Sequence, residues 1–117
     1  MDEQATQYGN KLLIDLVYKI IPFQEIHYQL SNQGLNLQFS LETSRKFNHR
    51  RSLVIMTTDH TSMIISQLVI HFSDEKISHR LFKRDNPVFQ IIIDLIPALQ
   101  TEYLKIIELQ QNYNIIH

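Results

Sequence analysis

Histidine and aspartate side chains lie close together in sequence in the second half of the chain. His71, Asp74 and His79 follow one another at short intervals, and Arg80 comes directly after them. An imidazole beside a carboxylate can transfer a proton, and with further ligands it can hold a metal ion. If a turn lies at Asp74, strand alternation directs His71 toward solvent and allows His79 to point inward. These four residues form an alternative site, that of a small enzyme or ligand-binding protein.

Metal and nucleophilic chemistry have little support elsewhere in the chain. No spacing matches a zinc motif such as H-E-x-x-H, and there is no cysteine to supply a thiolate or a disulfide. The chain also lacks a G-x-S-x-G elbow and a phosphate-binding glycine loop. Asp59 to Ser62 places an acid, an imidazole and two hydroxyls in a row, which is typical of a turn capped by Asp59. We therefore predict no catalytic residue, no metal and no cofactor, and a protein that is not an enzyme is favoured.

Positive charge is concentrated in one part of the chain, although the formal net charge is only −1. Residues 45 to 84 hold eight of the eleven Lys and Arg and three acids, which gives +5, while the remainder, with three bases and nine acids, carries −6. Such a segment attracts acidic or phosphorylated partners. Its bases form two clusters, at 45–51 and 76–84. We predict that residues of both clusters share one rim of a sheet, which we call the basic rim. The basic rim consists of Arg45, Lys46, Arg50, Arg51, Lys83 and Arg84.

The basic rim favours a protein partner over a nucleic acid. Only Phe47 and Phe82 interleave with its bases, and no recognition helix accompanies it. An acidic protein surface is one candidate partner, a weak nucleic-acid or phosphate site is an alternative, and a solvated face without a binding role stays open as well. Part of the charge can also pair with acids of the flanking helices, such as Asp15, Asp94 or Glu102.

The hydrophobic pattern predicts the elements that position these residues. Apolar residues at helical spacing indicate a helix over 11–21, which Pro22 ends. Alternation over 25–30 and 35–42 predicts a hairpin, with Gly34 in its turn. Further strands are expected at 52–57, around 68–72 and at 77–81.

A helical region follows the predicted strands. Asp85 or Asn86 caps a helix with Pro87 at its first position, and Pro97 should kink this helix or divide it in two. The sequence thus predicts an α+β fold, in which an antiparallel sheet of four or five strands carries an N-terminal and a C-terminal helix on one face. Apolar residues nearly encircle the helix before Pro97, which suggests surplus apolar surface for a partner. They are Ile91, Ile92, Ile93, Leu95 and Ile96.

Length and composition predict one cytoplasmic domain. The chain has 117 residues, 44% of them hydrophobic, which suffices for one sizeable core. Its polar start lacks the basic region of a signal peptide, and the apolar run that follows is too short to span a bilayer. We expect residues 1–117 to form a single domain that has no membrane contact.

Two groups of segments resemble the YqiB-like family of small proteobacterial proteins. In the first, residues 7–13 lead to Pro22, with a tyrosine before a Leu-rich run. The second group is similar in order and spacing to the family's central sheet, and it comprises residues 26–30, 35–42, 43–47 and 68–74. The resemblance covers about residues 7 to 82. It implies a bacterial cytoplasmic protein of unknown function, with no site to transfer.

These observations lead to two functions of different classes. The expected one is a non-enzymatic protein-interaction or adaptor module, with self-association as a homodimer through the apolar tail helix or a sheet edge. The alternative is a small ligand-binding protein or enzyme that uses His71, Asp74, His79 and Arg80.

Overall fold

The computed structural model describes residues 3–44, 46–47 and 49–116, with side chains as far as residue 113. Within them the chain forms four helices and four strands. The N-terminal helices are α1 (Glu3–Ile20) and α2 (Phe23–Ser31). The strands are β1 (Asn36–Thr43), β2 (Arg51–Thr58), β3 (Ile64–Phe72) and β4 (Ser78–Lys83). The C-terminal helices are α3 (Pro87–Ile93) and α4 (Ile96–Ile116), and the fold is α+β, as the sequence predicts.

The segment predicted as the first hairpin strand is helix α2, so the described sheet has four strands and not five. Ile26 and Leu30 are both buried, and their spacing fits a helix as well as an alternating strand. Tyr28 distinguishes the two, because a strand would bury it beside them, whereas it is 66% exposed. Gly34 has the expected positive φ of 72°, but it ends α2, where its N–H donates to the carbonyl oxygen of Ser31.

The four strands form one antiparallel sheet in the order β1-β2-β3-β4. Arg51 of β2 lies opposite Phe72 of β3, and Ile70 of β3 lies opposite His79 of β4. Successive side chains along a strand point to opposite sides of the sheet. We call the side that carries the buried residues Leu53 and Ile70 the core face, and the other side the outer face. The helices pack on the core face.

Helices α3 and α4 are the two consecutive helices predicted around Pro97. The side-chain oxygen of Asn86 accepts a hydrogen bond from the N–H of Val88 at 3.1 Å, which caps α3. Pro97 lies in the first turn of α4, where a missing N–H leaves no helical hydrogen bond unmade. Of the apolar residues before Pro97, Ile92 is fully buried in the core, and three others are partly buried against it: Ile91, Ile93 and Leu95. They therefore do not supply the surplus apolar surface that the sequence suggests.

Helices α1 and α4 lie side by side and run antiparallel. The rings of Tyr8, near the start of α1, and Tyr113, near the end of α4, stack with centroids 5.0 Å apart. Leu13 and Val17 of α1 and Tyr103 of α4 are buried in the same core. Among the described residues, no helix has the length and apolar character needed to cross a membrane.

Candidate functional site

Strand β4 is an edge strand that the helices leave bare. It is the last strand of the sheet, and all six of its residues are exposed. Leu81 lies on the core face opposite Leu68 and is 43% exposed, while Phe82 lies on the outer face opposite Gln67 and is 42% exposed. An edge strand also presents unpaired backbone N–H and C=O groups to solvent. β4 therefore offers hydrogen-bonding groups and apolar side chains on the same element.

At the opposite edge of the sheet, residues of α1 and α2 pack on the core face of β1. Phe39 of β1 stacks on Phe23 of α2 with ring centroids 5.3 Å apart, and it meets the ring of Tyr18 of α1 edge-on at 5.5 Å. Leu37 and Leu41 are half-buried on the same face. The apolar side chains of β1 thus have partners within the fold, whereas Leu81 and Phe82 remain exposed.

Basic side chains surround the bare edge. No acidic residue occurs between Lys76 and Arg84, a stretch that includes all of β4. The ammonium group of Lys83, a residue with a φ of 62°, donates to the carbonyl oxygen of Ile64 at 3.2 Å. The exposed bases along and beside the strand are Lys76, Arg80, Lys83 and Arg84. The edge is therefore electropositive along its length.

The basic rim predicted from the sequence is not one surface. Lys46 and Arg50 lie in the loop between β1 and β2, over the ring of Phe47, at 5.4 and 4.6 Å from its centroid. Because neighbouring strands run antiparallel, this loop lies at the end of the sheet where β4 begins. Lys83 and Arg84 lie at the other end of β4, roughly 17 Å away along the strand. The prediction of one shared rim is wrong for these residues.

Arg45 and Arg51 are the two remaining members of the predicted rim. Arg45 lies outside the described residues. Arg51 is 2% exposed, because it occupies the core face together with Leu53 and Ile55. Arg51 alternates in step with Leu53 and Ile55 in the sequence, which indicates a buried position. The cluster of positive charge instead suggested a position on the surface.

The guanidinium of Arg51 is held by four neutral oxygens. Its Nε donates to Oδ1 of Asn10, and Nη1 donates to the hydroxyl of Tyr103 at 2.9 Å. Nη2 donates to the carbonyl oxygen of Thr6 at 3.1 Å and to Oε1 of Gln110 at 2.6 Å. We call Arg51 and these four partners the arginine cage. The cage joins α1, β2 and α4 through hydrogen bonds that stabilise a buried charge.

Two neighbouring features depend on the arginine cage. A Cβ atom on Gly9 of α1 would collide with Oε1 of Gln110 and Nη2 of Arg51, so a larger residue at this position would displace these side chains from the cage. The hydroxyl of Tyr103 donates to the carbonyl oxygen of His49 at 2.7 Å. Burial raises the pKa of Tyr103, and the positive charge of Arg51 partly opposes this change. The role of Arg51 is therefore structural.

The alternative site predicted from His71, Asp74, His79 and Arg80 does not form one cluster. His71 and Arg80 lie on the outer face, whereas His79 lies on the other face, opposite Ile70. His79 is also exposed, because β4 extends past the helices, and it does not point inward. The opposite orientations of His71 and His79 weaken the enzyme alternative, since catalytic groups must reach one substrate.

The side chains of His71 and Asp74, near the end of the sheet where β4 begins, contact residues outside the predicted alternative site. Nδ1 of His71 lies 2.9 Å from the hydroxyl oxygen of Ser52, and Nε2 of His49 lies 3.5 Å from Oδ1 of Asp74. Over the described part of the chain, no three histidine or carboxylate side chains come together in a way that could hold a metal ion.

An open cleft of about 530 Å³ lies beside His71, where the loops of the sheet converge. Arg50 and Lys76 line it together with Glu42 and Glu75. Carboxylates of this kind repel a phosphate, so the cleft gives the phosphate alternative little support. The mixed charge is typical of a solvated surface.

The turn predicted at Asp59 is confirmed. Its carboxylate accepts hydrogen bonds from the N–H and hydroxyl of Thr61, at 2.8 and 2.6 Å, and from the N–H of Met63 at 3.0 Å. These bonds, chiefly the one from the Thr61 hydroxyl, lower the pKa of Asp59. Asp59 therefore caps the loop between β2 and β3.

No family model, no curated protein and no solved structure matches the chain. The resemblance to the YqiB-like family stays a prediction.

Proposed function

We propose that this protein is a non-enzymatic protein-interaction module that binds an extended segment of a partner protein along the free edge of β4. The observation that carries the proposal is the exposure of all six residues of β4, with Leu81 and Phe82 on opposite faces. An extended segment that adds to a sheet edge gains main-chain hydrogen bonds along the strand. Its alternate side chains then lie beside the apolar residues on each face of the edge.

The charges around β4 specify an acidic partner segment. Arg80 on the outer face and Lys83 at the strand end would lie beside the side chains of an added strand. Cross-strand pairs of opposite charge stabilise a sheet, and like charges destabilise it. Two copies of β4 paired with each other would oppose basic side chains, so strand addition favours an acidic segment over a second copy. A segment with neighbouring apolar residues opposite Leu81 and Phe82, and a carboxylate opposite Arg80, would match this edge.

Selection from a random peptide library displayed on phage tests this proposal. We expect the wild-type protein to enrich extended sequences in which two neighbouring apolar residues are flanked by acidic residues. The Arg80→Glu variant should bind the selected peptides roughly 3- to 10-fold more weakly, since a favourable cross-strand pair becomes a repulsive one. Lys11→Glu is the matched control, because it makes the same charge change at an exposed position of α1, away from the sheet edge.

The position of the bound peptide gives an independent measurement. Amide hydrogen exchange should slow in residues 78–83 when a selected synthetic peptide binds, because the added strand pairs with free N–H groups of β4. Protection confined to the helices, or equal weakening by Arg80→Glu and Lys11→Glu, would refute binding at this edge.

A further inference from the structure

Apolar side chains lie on two sides of α4, although only one side packs on the sheet. Leu99 and Tyr103 are fully buried in the core. Leu109 points away from the core and is 45% exposed. Together with Leu12 and Leu16 of α1 it lines a shallow groove of about 260 Å³ between the two helices. A second apolar side on a helix indicates a further packing partner.

The stacked pair of Tyr8 and Tyr113 sets the alignment of the two helices along this groove. One helical turn further along, Leu12 comes level with Leu109. About three turns from the stacked pair, Lys19 comes level with Glu102. The apolar part of the groove therefore lies toward one end of the helix pair, and charged residues border the other.

Acidic and basic residues alternate beside the groove, both along each helix and from one helix to the other. Asp15 and Lys19 succeed one another along α1, while Lys105 and Glu102 lie at the corresponding levels on α4. Lys105 and Glu102 are 3.1 Å apart within their helix, an exposed pair that contributes little stability to the monomer. An arrangement of this kind is complementary to its own copy. A two-fold axis along the helices places Lys19 against the partner's Glu102, and an axis across them places Lys19 against the partner's Asp15.

We propose that the α1–α4 groove is the interface of a homodimer, in which two copies form a four-helix layer with a sheet on each outer side. Both possible two-fold axes bring every acid of the groove opposite a base, so the charges favour a second copy over an acidic partner. The face is roughly 27 Å long and 20 Å wide, from the rise and diameter of two helices. This area lies near the lower limit of specific interfaces, which implies a dimer that forms in a concentration-dependent way.

Sedimentation velocity over a series of protein concentrations tests the homodimer. We expect the wild-type mass to rise toward that of two chains as the concentration increases. Leu109→Glu should abolish this rise, because it introduces a charge into the apolar part of the groove. Leu104→Glu is the matched control: Leu104 has nearly the same exposure, 44%, on the same helix, but it does not line the groove. Thermal unfolding followed by circular dichroism verifies that each variant is folded.

Charge exchange then identifies the two-fold axis. Lys19→Glu should weaken the dimer roughly tenfold or more with either axis, since it places an acid opposite an acid at two symmetry-related contacts. Adding Glu102→Lys should restore the dimer if the axis runs along the helices, and adding Asp15→Lys should restore it if the axis runs across them. A dimer that neither exchange restores would not use these contacts.

The homodimer and the proposed function are independently testable, because they use different surfaces. Leu109→Glu should leave peptide binding at β4 unchanged, and Arg80→Glu should leave the dimer unchanged. A wild-type protein that stays monomeric at all concentrations would overturn the homodimer. A dimer lost on Arg80→Glu, or lost on Leu104→Glu and retained on Leu109→Glu, would overturn it as well.

Discussion

Arg51 and Arg80 belong to the same sheet, but they lie in opposite environments. Arg51 is buried at the start of β2, where its guanidinium donates to Asn10, Tyr103, Thr6 and Gln110. Arg80 is exposed on the outer face of β4. One arginine is therefore fixed by the fold, whereas the other is free to meet a partner.

The difference shows that the density of positive charge in a sequence is a poor guide to a binding surface. A buried guanidinium needs hydrogen-bond acceptors in fixed positions, and the arginine cage supplies them from elements distant in sequence. Replacing an exposed arginine changes the free energy of unfolding only slightly, although its guanidinium can contribute to the recognition of a partner. The same substitution should thus change the free energy of unfolding much more at Arg51 than at Arg80.

Replacing each arginine by leucine gives the largest expected contrast. Arg51→Leu removes the buried guanidinium and its hydrogen bonds to Asn10, Thr6 and Gln110, and we expect a loss of about 4 kcal/mol in the free energy of unfolding. Arg80→Leu, at an exposed position, should change the same quantity by less than about 0.5 kcal/mol. Urea unfolding followed by circular dichroism measures both. Similar losses for the two variants would remove the distinction between a structural and a free arginine.

A smaller effect is expected when the space beside Arg51 is filled. Gly9→Ala places a methyl group where Oε1 of Gln110 and Nη2 of Arg51 now lie, so the hydrogen bond between them must break or shift. Alanine is the better helix former by about 1 kcal/mol, which offsets part of the cost. We expect a net loss of about 2 kcal/mol in the free energy of unfolding.

The double variant Gly9→Ala with Gln110→Ala separates packing from helix propensity. Shortening Gln110 removes the main obstacle to the new methyl group, so the second substitution should cost less in the Gly9→Ala protein than in the wild type. If the two losses simply add, Gly9 and Gln110 are not coupled, and the close contact at the cage does not limit residue 9.

Most of the secondary structure could be predicted from the sequence. Strands β1 to β4 follow from alternation, and α3 and α4 follow from Asn86, Pro87 and Pro97, because these signals are local. Helix α2 was missed since the positions of Ile26 and Leu30 satisfy both periodicities, and only the exposure of Tyr28 separates them. Local pattern therefore predicts most elements but not every choice between helix and strand.

The candidate site was less predictable, because it depends on contacts between distant residues. The strand register places the β1–β2 loop beside the start of β4, whereas Lys83 and Arg84 lie at its other end, so the two basic clusters are far apart. The arginine cage joins Asn10 to Gln110, a pairing that no spacing in the sequence indicates. The parity of Arg51 with Leu53 was the one available signal of its burial. The bare edge of β4 depends on the extent of the helical layer, which the sequence leaves open.

The smallest expected effect concerns the hydroxyl that Tyr103 adds to the arginine cage. Tyr103→Phe removes the hydrogen bonds to Arg51 and to the carbonyl oxygen of His49, and we expect a loss of about 1 kcal/mol at neutral pH. Burial raises the pKa of Tyr103 above its ordinary value near 10. The unfolded chain therefore loses this proton at lower pH than the folded protein, and the stabilisation is complete below pH 10 and declines as the pH rises through the folded pKa.

The pH dependence distinguishes this hydroxyl from the other tyrosines of the chain. Wild type and Tyr103→Phe share Tyr8, Tyr18, Tyr28 and Tyr113, so the difference between their unfolding free energies reports Tyr103 alone. We expect this difference to be constant from pH 7 to about 9 and to narrow above pH 10. A difference that grows with pH would mean that the cage stabilises the phenolate of Tyr103, and burial would then not be the dominant influence on its pKa.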